Sequence, residues 1–203
     1  MVGGTGLYIK AFCEGLDVIP SIPDDIRSNI LNQYKEHGIS FLQQQLQQED
    51  LQFWKVAEQQ NPQRLMRALE VLHTTGKSIL YYQNKTTVKR PFNIIKICLQ
   101  LPRNSLYERI NLRVDNMMAE GLLEEAKRFL PYENLNALQT VGYKELFDFL
   151  NGKTTLQTAI DFIKQNTRHY AKRQLTWFKK DNQMNWFEPE EFDKIINLIK
   201  DKI

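Results

Sequence analysis

Cysteine is scarce, with two in 203 residues. Cys13 and Cys98 stand far apart in apolar surroundings, without a C-x-x-C pair or a Cys/His spacing. That excludes a disulfide framework and a structural zinc, and leaves two buried thiols in a reducing compartment as the expectation. Long apolar runs are missing as well. No segment approaches the roughly eighteen apolar residues of a membrane span, and the start lacks a charged region followed by an apolar one, so a cytoplasmic protein with no membrane partner is expected. Charge of one sign is not in excess: a formal net charge of +3 is too small to imply a polyanionic partner by itself. The phosphate-cradling pattern G-x-x-x-x-G-K-[ST] occurs nowhere in the chain, and no internal repeat is evident. The length suffices for one substantial domain or two small ones.

What is present is largely helical punctuation. MVGGTGLYIKAF opens the chain with a glycine cluster running into an apolar stretch, the pattern of a strand end leading into a helix over Leu7–Glu14, with Gly15 as its stop and Met1-Val2 as the strand. Asp24 or Asp25 is placed to cap a helix through Lys35, with Ile26, Ile30, Leu31 and Tyr34 on one face and Gly38 as a stop. Ser40 is placed to open the next. Its glutamine-rich stretch, SFLQQQLQQEDLQFWKVAEQQ, carries Phe41, Leu42, Leu46, Leu51, Phe53, Trp54 and Val56, a buried side that low-complexity disorder would lack. NPQRLMRALEVLHTTG reads as the cleanest helix: Asn61 as N-cap, Pro62 at the first position, Leu65, Ala68, Leu69 and Leu72 as the apolar stripe, Gly76 as stop.

NKTTVKRPFN breaks the pattern, and Asn93–Leu101 has the β-branched content of a strand. Helices are predicted from Asn104 or Ser105 to about Glu120, from Leu122 to Leu130, from Val141 to a stop at Asn151-Gly152, and from about Thr155 to Lys180. A short MNWF strand and a terminal helix follow. Strands at the start, near residue 95 and near residue 185 imply a divided α/β core, mostly helical, with a helical insertion between its parts. The domain boundaries expected are 1–22 and 93–203 for the core and 23–92 for the insertion.

Several stretches carry chemistry, each against a plainer alternative. GGTG reads either as a structural turn or as a mouth where Thr5 and three glycines let a phosphate or base approach the backbone. Arg64 and Arg67 are neighbours on one face of their helix, either solvated or offsetting a bound anion, since cations at a helix N-terminus oppose its dipole. Arg109 and Arg113 form a like-charge i,i+4 pair that a phosphate would stabilise, with Glu108 and Asp115 as competing salt-bridge partners. Gln139, Thr140, Gly142, Tyr143 and Lys144 gather backbone amides, an aromatic face and a cation at a helix entrance, suited to a nucleotide or simply to capping. From Lys164 to Lys180 there are six Lys/Arg and no acid. In TRHYAKRQLTWFKK, Arg168, Lys172 and Lys179 align at helical spacing with Tyr170, Trp177 and Phe178 interleaved, which fits RNA backbone contact unless the aromatics are core. No nucleophile and base pair can be assembled, and His169 reads as a passenger.

VGGTGLYIKA, PDDIR, NPQRLMRALEV, RINLRVDNMMAEGLLEEA, ALQTVGYKE and TRHYAKRQLTWF, in that order, closely resemble the tRNA dimethylallyltransferase (tRNA isopentenyltransferase) family, in its bacterial version, over nearly the whole chain. The resemblance implies transfer of a dimethylallyl group from dimethylallyl diphosphate to N6 of the adenosine immediately 3′ of the anticodon, with Mg²⁺ and cationic groups assisting pyrophosphate release and the base taken out of the anticodon-loop stack. It also implies a P-loop-kinase-like α/β core with nucleotide (ATP) binding, a helical insertion that grips the anticodon stem-loop, and a monomer. By motif, Thr5 would line the reaction channel near the target base, Arg113 would be the diphosphate ligand and Arg109 its second choice. Contacts to tRNA would come from Thr5, Arg27, Gln63, Arg64, Leu65, Met66, Arg67, Gln139, Thr140, Val141, Gly142, Tyr143, Lys144, Lys172, Arg173, Gln174, Thr176 and Lys179. The family's amino-terminal P-loop, which holds the diphosphate, and the aspartate after it, assigned as general base, have no counterpart here. The expectation is therefore a carboxy-terminal two-thirds that does not catalyse alone, with the Mg²⁺ ligands in the missing part. The alternatives are a non-catalytic RNA-binding module that keeps the anticodon grip and a helical interaction protein with incidental basic faces.

Overall fold

The structure is a computed structural model describing residues 1–83 and 88–202. It divides into two compact units, Leu7–Phe92 and Met1–Gly6 with Asn93–Ile203.

The Leu7–Phe92 unit is helical. Its elements are α1 (Gly6–Glu14), α2 (Asp24–His37), α3 (Ile39–Glu49), α4 (Leu51–Val56), α5 (Pro62–Thr75) and α6 (Ile79–Tyr82). α5 forms as its sequence dictates: the Asn61 side chain accepts from the Arg64 N–H at 3.2 Å, Pro62 opens the first turn, and Gly76 takes the left-handed conformation (φ 70°) that ends it. Because α2 and α3 both flank α5, its buried stripe is wider than expected, taking in Val71 with Leu65, Ala68 and Leu69, while Leu72 is half-buried. Ile30, Leu42, Leu46, Phe53 and Ile79 complete this core.

Three local expectations change here. Asp24 and Asp25 lie inside the first turn of α2, behind Pro23 at the cap position with no side-chain cap, where their charge still complements the helix dipole. Gly38 ends α2 and precedes α3 directly, so α3 starts at Ile39 rather than Ser40. The glutamine-rich stretch is two helices, because the Asp50 carboxylate caps α4 by accepting from the Phe53 N–H at 3.0 Å. A six-residue helix buries one side only, so Phe53 is core whereas Leu51 and Val56 are exposed, as is Leu31 on α2. The NKTTVKRPFN break falls in part on residues 84–87, outside the described residues, and its remainder carries no regular element.

The other unit holds β1 (Ile97–Leu99), α7 (Arg103–Ala119), α8 (Leu122–Phe129), α9 (Tyr143–Leu150), α10 (Leu156–Phe178), β2 (Asn185–Phe187) and α11 (Phe192–Lys202). β1 and β2 pair in parallel, Ile97 opposite Asn185 and Leu99 opposite Phe187. α10 packs on α7 and α9, around Val114, Leu122, Ala126, Leu146, Phe147, Ala159 and Ile163. The strand expected over Asn93–Leu101 shrinks to three residues because its partner offers only three. Met1-Val2 forms no strand and is exposed; Gly4 finds a side-chain partner instead of a ladder. Cys13 is buried as expected, but Cys98 is only half-buried on β1, where partial burial still raises its thiol pKa. Among the described residues no helix is long and apolar enough to cross a membrane.

Candidate functional site

The opening segment lies against α10. The Gln174 side chain donates from Nε2 to the Gly4 carbonyl at 2.8 Å, and Thr5 Oγ1 lies 3.4 Å from the Tyr170 hydroxyl. A Cβ on Gly4 would fall 2.0 Å from Gln174 Nε2, and one on Gly6 within 2.3–2.6 Å of the Trp177 indole, whereas one on Gly3 would meet nothing within 4 Å. Gly3, Gly4 and Gly6 are not among the glycines with positive φ. Gly6 is therefore required by close approach of the backbone to the Trp177 ring and not by a left-handed turn, whereas Gly4 faces only the flexible end of Gln174. Thr5 stands between these two contacts, with its hydroxyl held toward Tyr170.

Along α10 the basic and aromatic residues separate into different roles. Phe178 is core, while Tyr170 and Trp177 are exposed. Arg168 donates to Asn111 Oδ1 on α7 at 2.7 Å and lies 5.8 Å from the Tyr107 ring centroid, so it joins two helices. Lys164 pairs with Asp115 at 2.6 Å, which removes Asp115 as a partner for Arg113. Arg173 sits over the Tyr170 ring at 5.6 Å. Lys172, Thr176 and Lys179, at i, i+4 and i+7, form one exposed stripe. Arg109 and Arg113 are exposed on α7, and among the described residues neither has a carboxylate within 4.0 Å. The Glu108 and Asp115 salt bridges set against anion binding by these two arginines do not form.

At the entrance of α9 the site residues are held from both sides. Gln139 Nε2 donates to the Glu133 carbonyl at 2.5 Å. Gly142 adopts φ 107°, ψ −64°, a conformation other residues rarely reach, and its N–H donates to Glu145 Oε2 at 2.8 Å. The Tyr143 hydroxyl donates to Glu125 Oε1 on α8 at 2.5 Å; that bond, with partial burial and the carboxylate charge, raises its pKa. The Tyr143 ring meets Phe129 edge-on and stacks on Phe147, so the aromatic face expected for a nucleotide is occupied by protein. Thr140, Val141 and Lys144 remain exposed.

In the Leu7–Phe92 unit the arginines have carboxylate partners. Arg64 pairs with Glu58 at 2.9 Å, and Glu70 accepts from Arg67 at 3.2 Å with Arg27 at 3.9 Å. Arg27 also lies 3.9 Å from Asp24. The charge cost at the start of α5 is thus offset within the protein, by an exposed Arg64–Glu58 pair and by a mostly buried Glu70 facing Arg67 and Arg27. Gln63 is exposed and Met66 half-buried. Leu65, expected at the RNA surface, is 0% exposed and belongs to the core, because its α5 position faces inward.

Glu145 was not singled out by sequence, although its place three residues after Gly142 is the capping-box spacing that marks it. Asn111, Tyr107 and Asn166 carry no such signal. Among the described residues no group of three or more His, Cys, Asp or Glu side chains could hold a metal ion.

The family model described as IPP transferase matches residues 1–181. The chain is 50% identical over 204 residues to a tRNA dimethylallyltransferase of Christiangramia forsetii, covering 100% of this chain and 68% of that protein. It is 44% identical over 199 residues to tRNA dimethylallyltransferase 1 of Phocaeicola vulgatus, covering 98% and 66%. Among solved structures, the full-length tRNA isopentenylpyrophosphate transferase of Bacillus halodurans aligns with a TM-score of 0.62 at 34% identity, covering 98% of this chain and 65% of that one. A eukaryotic dimethylallyltransferase acting on tRNA shares the fold at 22% identity and a TM-score of 0.66, covering 92% and 50%. The chain spans about two thirds of the length of the curated relatives it matches.

Proposed function

Because the chain belongs to the IPP transferase family, we propose that it serves transfer of a dimethylallyl group from dimethylallyl diphosphate to N6 of the adenosine 3′ of a tRNA anticodon. The match over residues 1–181 carries this reading, since all six ordered motifs lie within it. In the step, the N6–C bond to the allylic carbon forms, the allylic C–O bond breaks, pyrophosphate leaves and N6 loses a proton. Positioning of base and diphosphate and stabilisation of the departing charge are what the protein contributes.

Arg113, with Arg109 as second choice, is our candidate for the diphosphate. Its support is that both guanidiniums are exposed and free of carboxylates among the described residues. Thr5 is our candidate for the channel wall beside the extruded base, supported by its hydroxyl position between two contacts to α10. The tRNA grip is assigned to Arg27, Gln63, Arg64, Met66 and Arg67, to the 139–144 segment, and to the exposed stripe of Lys172, Thr176 and Lys179 with Arg173; Leu65 supports them from beneath, and Gln174 through Gly4. Residues 23–92 are read as a helical insertion into a P-loop-kinase-like core formed by 1–22 and 93–203. A monomeric, cytoplasmic enzyme goes with this reading. The family implies a divalent metal, taken as Mg²⁺, which would balance charge on the diphosphate; no cluster among the described residues fits it.

The test is nucleoside mass spectrometry of tRNA from cells in which the gene for this protein is deleted. N6-dimethylallyladenosine should disappear and return on complementation with the native gene, and Arg113→Ala should lower the recovered amount at least tenfold. Unchanged modification in the deletion strain refutes the assignment.

A further inference from the structure

Glu145 is 7% exposed, one of two polar or charged side chains buried among the described residues. It lies on α9 between Leu146, Phe147 and the helix entrance, where packing alone would favour an apolar residue, because a buried carboxylate is costly unless its oxygens are satisfied. Both are. Oε2 accepts from the Gly142 N–H at 2.8 Å, and Oε1 accepts from Asn166 Nδ2 on α10 at 2.6 Å. One carboxylate therefore joins the turn that presents residues 139–144 to the helix that presents Lys172 and Lys179. The same segment is also tied by Tyr143 to Glu125 on α8, and Thr140, Val141 and Lys144 are exposed. Asn166 precedes Lys172 by six residues, about 9 Å along the helix axis.

We propose that Glu145 is a positioning residue for RNA binding: through Asn166 it sets the 139–144 segment against α10, so that Lys144 and the Lys172 stripe meet one RNA strand in register. This rests on the functional reading above. The carboxylate touches no substrate; it acts through the Gly142 backbone and the Asn166 amide. The bridge also accounts for glycine at 142, since the positive φ that aims its N–H at Glu145 would strain any other residue.

The experiment measures binding of the chain to a fluorescent anticodon stem-loop over a salt series, with thermal melts alongside. Asn166→Asp sets two carboxylates against each other and should weaken binding about tenfold and lower the slope of log K against log salt by about one, the loss of one phosphate contact. Glu145→Gln should bind within about threefold of native, because the Asn166 amide can turn to offer its oxygen to the introduced NH₂. The double variant Glu145→Gln/Asn166→Asp has the native net charge and again pairs a donor with an acceptor. It should recover both affinity and slope. A native chain that binds while Asn166→Asp keeps full affinity and slope overturns the positioning role alone, as does a double variant that melts like native without recovering the slope. A native chain that does not bind the stem-loop overturns the functional reading, and this proposal with it.

Discussion

Replacing Gly6 by alanine tests whether the glycine run exists to admit α10. The added Cβ would lie 2.3 Å from Trp177 Cδ1 and 2.4 Å from Nε1, where ordinary contact begins at 3.4 Å, so the indole must give by about 1 Å. Trp177 is 44% exposed and can swing outward, which puts the cost at the low end of overpacking, about 1–2 kcal/mol. For a chain of this size each kcal/mol lowers the melting midpoint by about 2–4 °C. In a Trp177→Ala background the clash is gone, and what remains is the preference for alanine over glycine in a helix, up to about 1 kcal/mol in the stabilising direction. Gly6→Ala should therefore destabilise the native chain and be neutral or stabilising beside Trp177→Ala, a coupling of at least about 1 kcal/mol in a double-mutant cycle read by urea unfolding. Gly4→Ala displaces only the end of the flexible Gln174 side chain and loses one hydrogen bond, about 0.5–1.5 kcal/mol, and Gly3→Ala meets nothing. Equal cost for Gly6→Ala in both backgrounds would refute the close-approach explanation.

Arg64→Ala and Arg67→Ala should each weaken stem-loop binding across sequences and lower the salt slope by about one, with stability changed by less than about 1 kcal/mol for Arg64, whose pair with Glu58 is exposed, and by more for Arg67, whose partner Glu70 is mostly buried; unchanged affinity and slope in the double variant would count against the α5 grip. Acid should act through Asp181. Burial raises its carboxyl pKa, but the hydrogen bonds from Lys96 at 2.7 Å and from the Gln183 N–H, with the Lys96 charge, outweigh burial and hold it below the usual aspartate range. A depressed folded pKa contributes stability that is present above the unfolded value and lost as pH falls through the folded one. Asp181→Asn should thus lose stability at neutral pH and show a shallower decline below about pH 4; parallel pH–stability curves for the two chains would exclude the ion pair as a source of acid sensitivity.

Helix ends were legible wherever the signal lies within a few residues. Asn61, Pro62 and Gly76 delimit α5 as read, and Thr155 caps α10 through the Thr158 N–H at 3.2 Å. Legibility failed where neighbours decide. Leu51 and Val56 look as apolar as Phe53, but a six-residue helix has one buried side. The strand near residue 95 was read at the right place and too long, because ladder length belongs to the partner strand. Of the candidate site residues, Arg109 and Arg113 stand unpaired among the described residues, whereas Leu65 and the Tyr143 ring are spent on packing.

By itself, then, the sequence determined the helical punctuation, the concentration of basic charge on α10, and the ordered motifs that place the chain in its family. Each of these is written in residue types and short spacings. Tertiary structure alone decided why Gly6 lacks a side chain, what Gly4 bonds to, which cations keep their charge unpaired, and what Glu145 holds. Those answers depend on groups brought together from 21 residues apart, as Glu145 and Asn166 are, to 170 apart, as Gly4 and Gln174 are. At such separations neither periodicity nor capping carries information, and only the packing of α10 against the rest of its unit brings the partners within bonding distance.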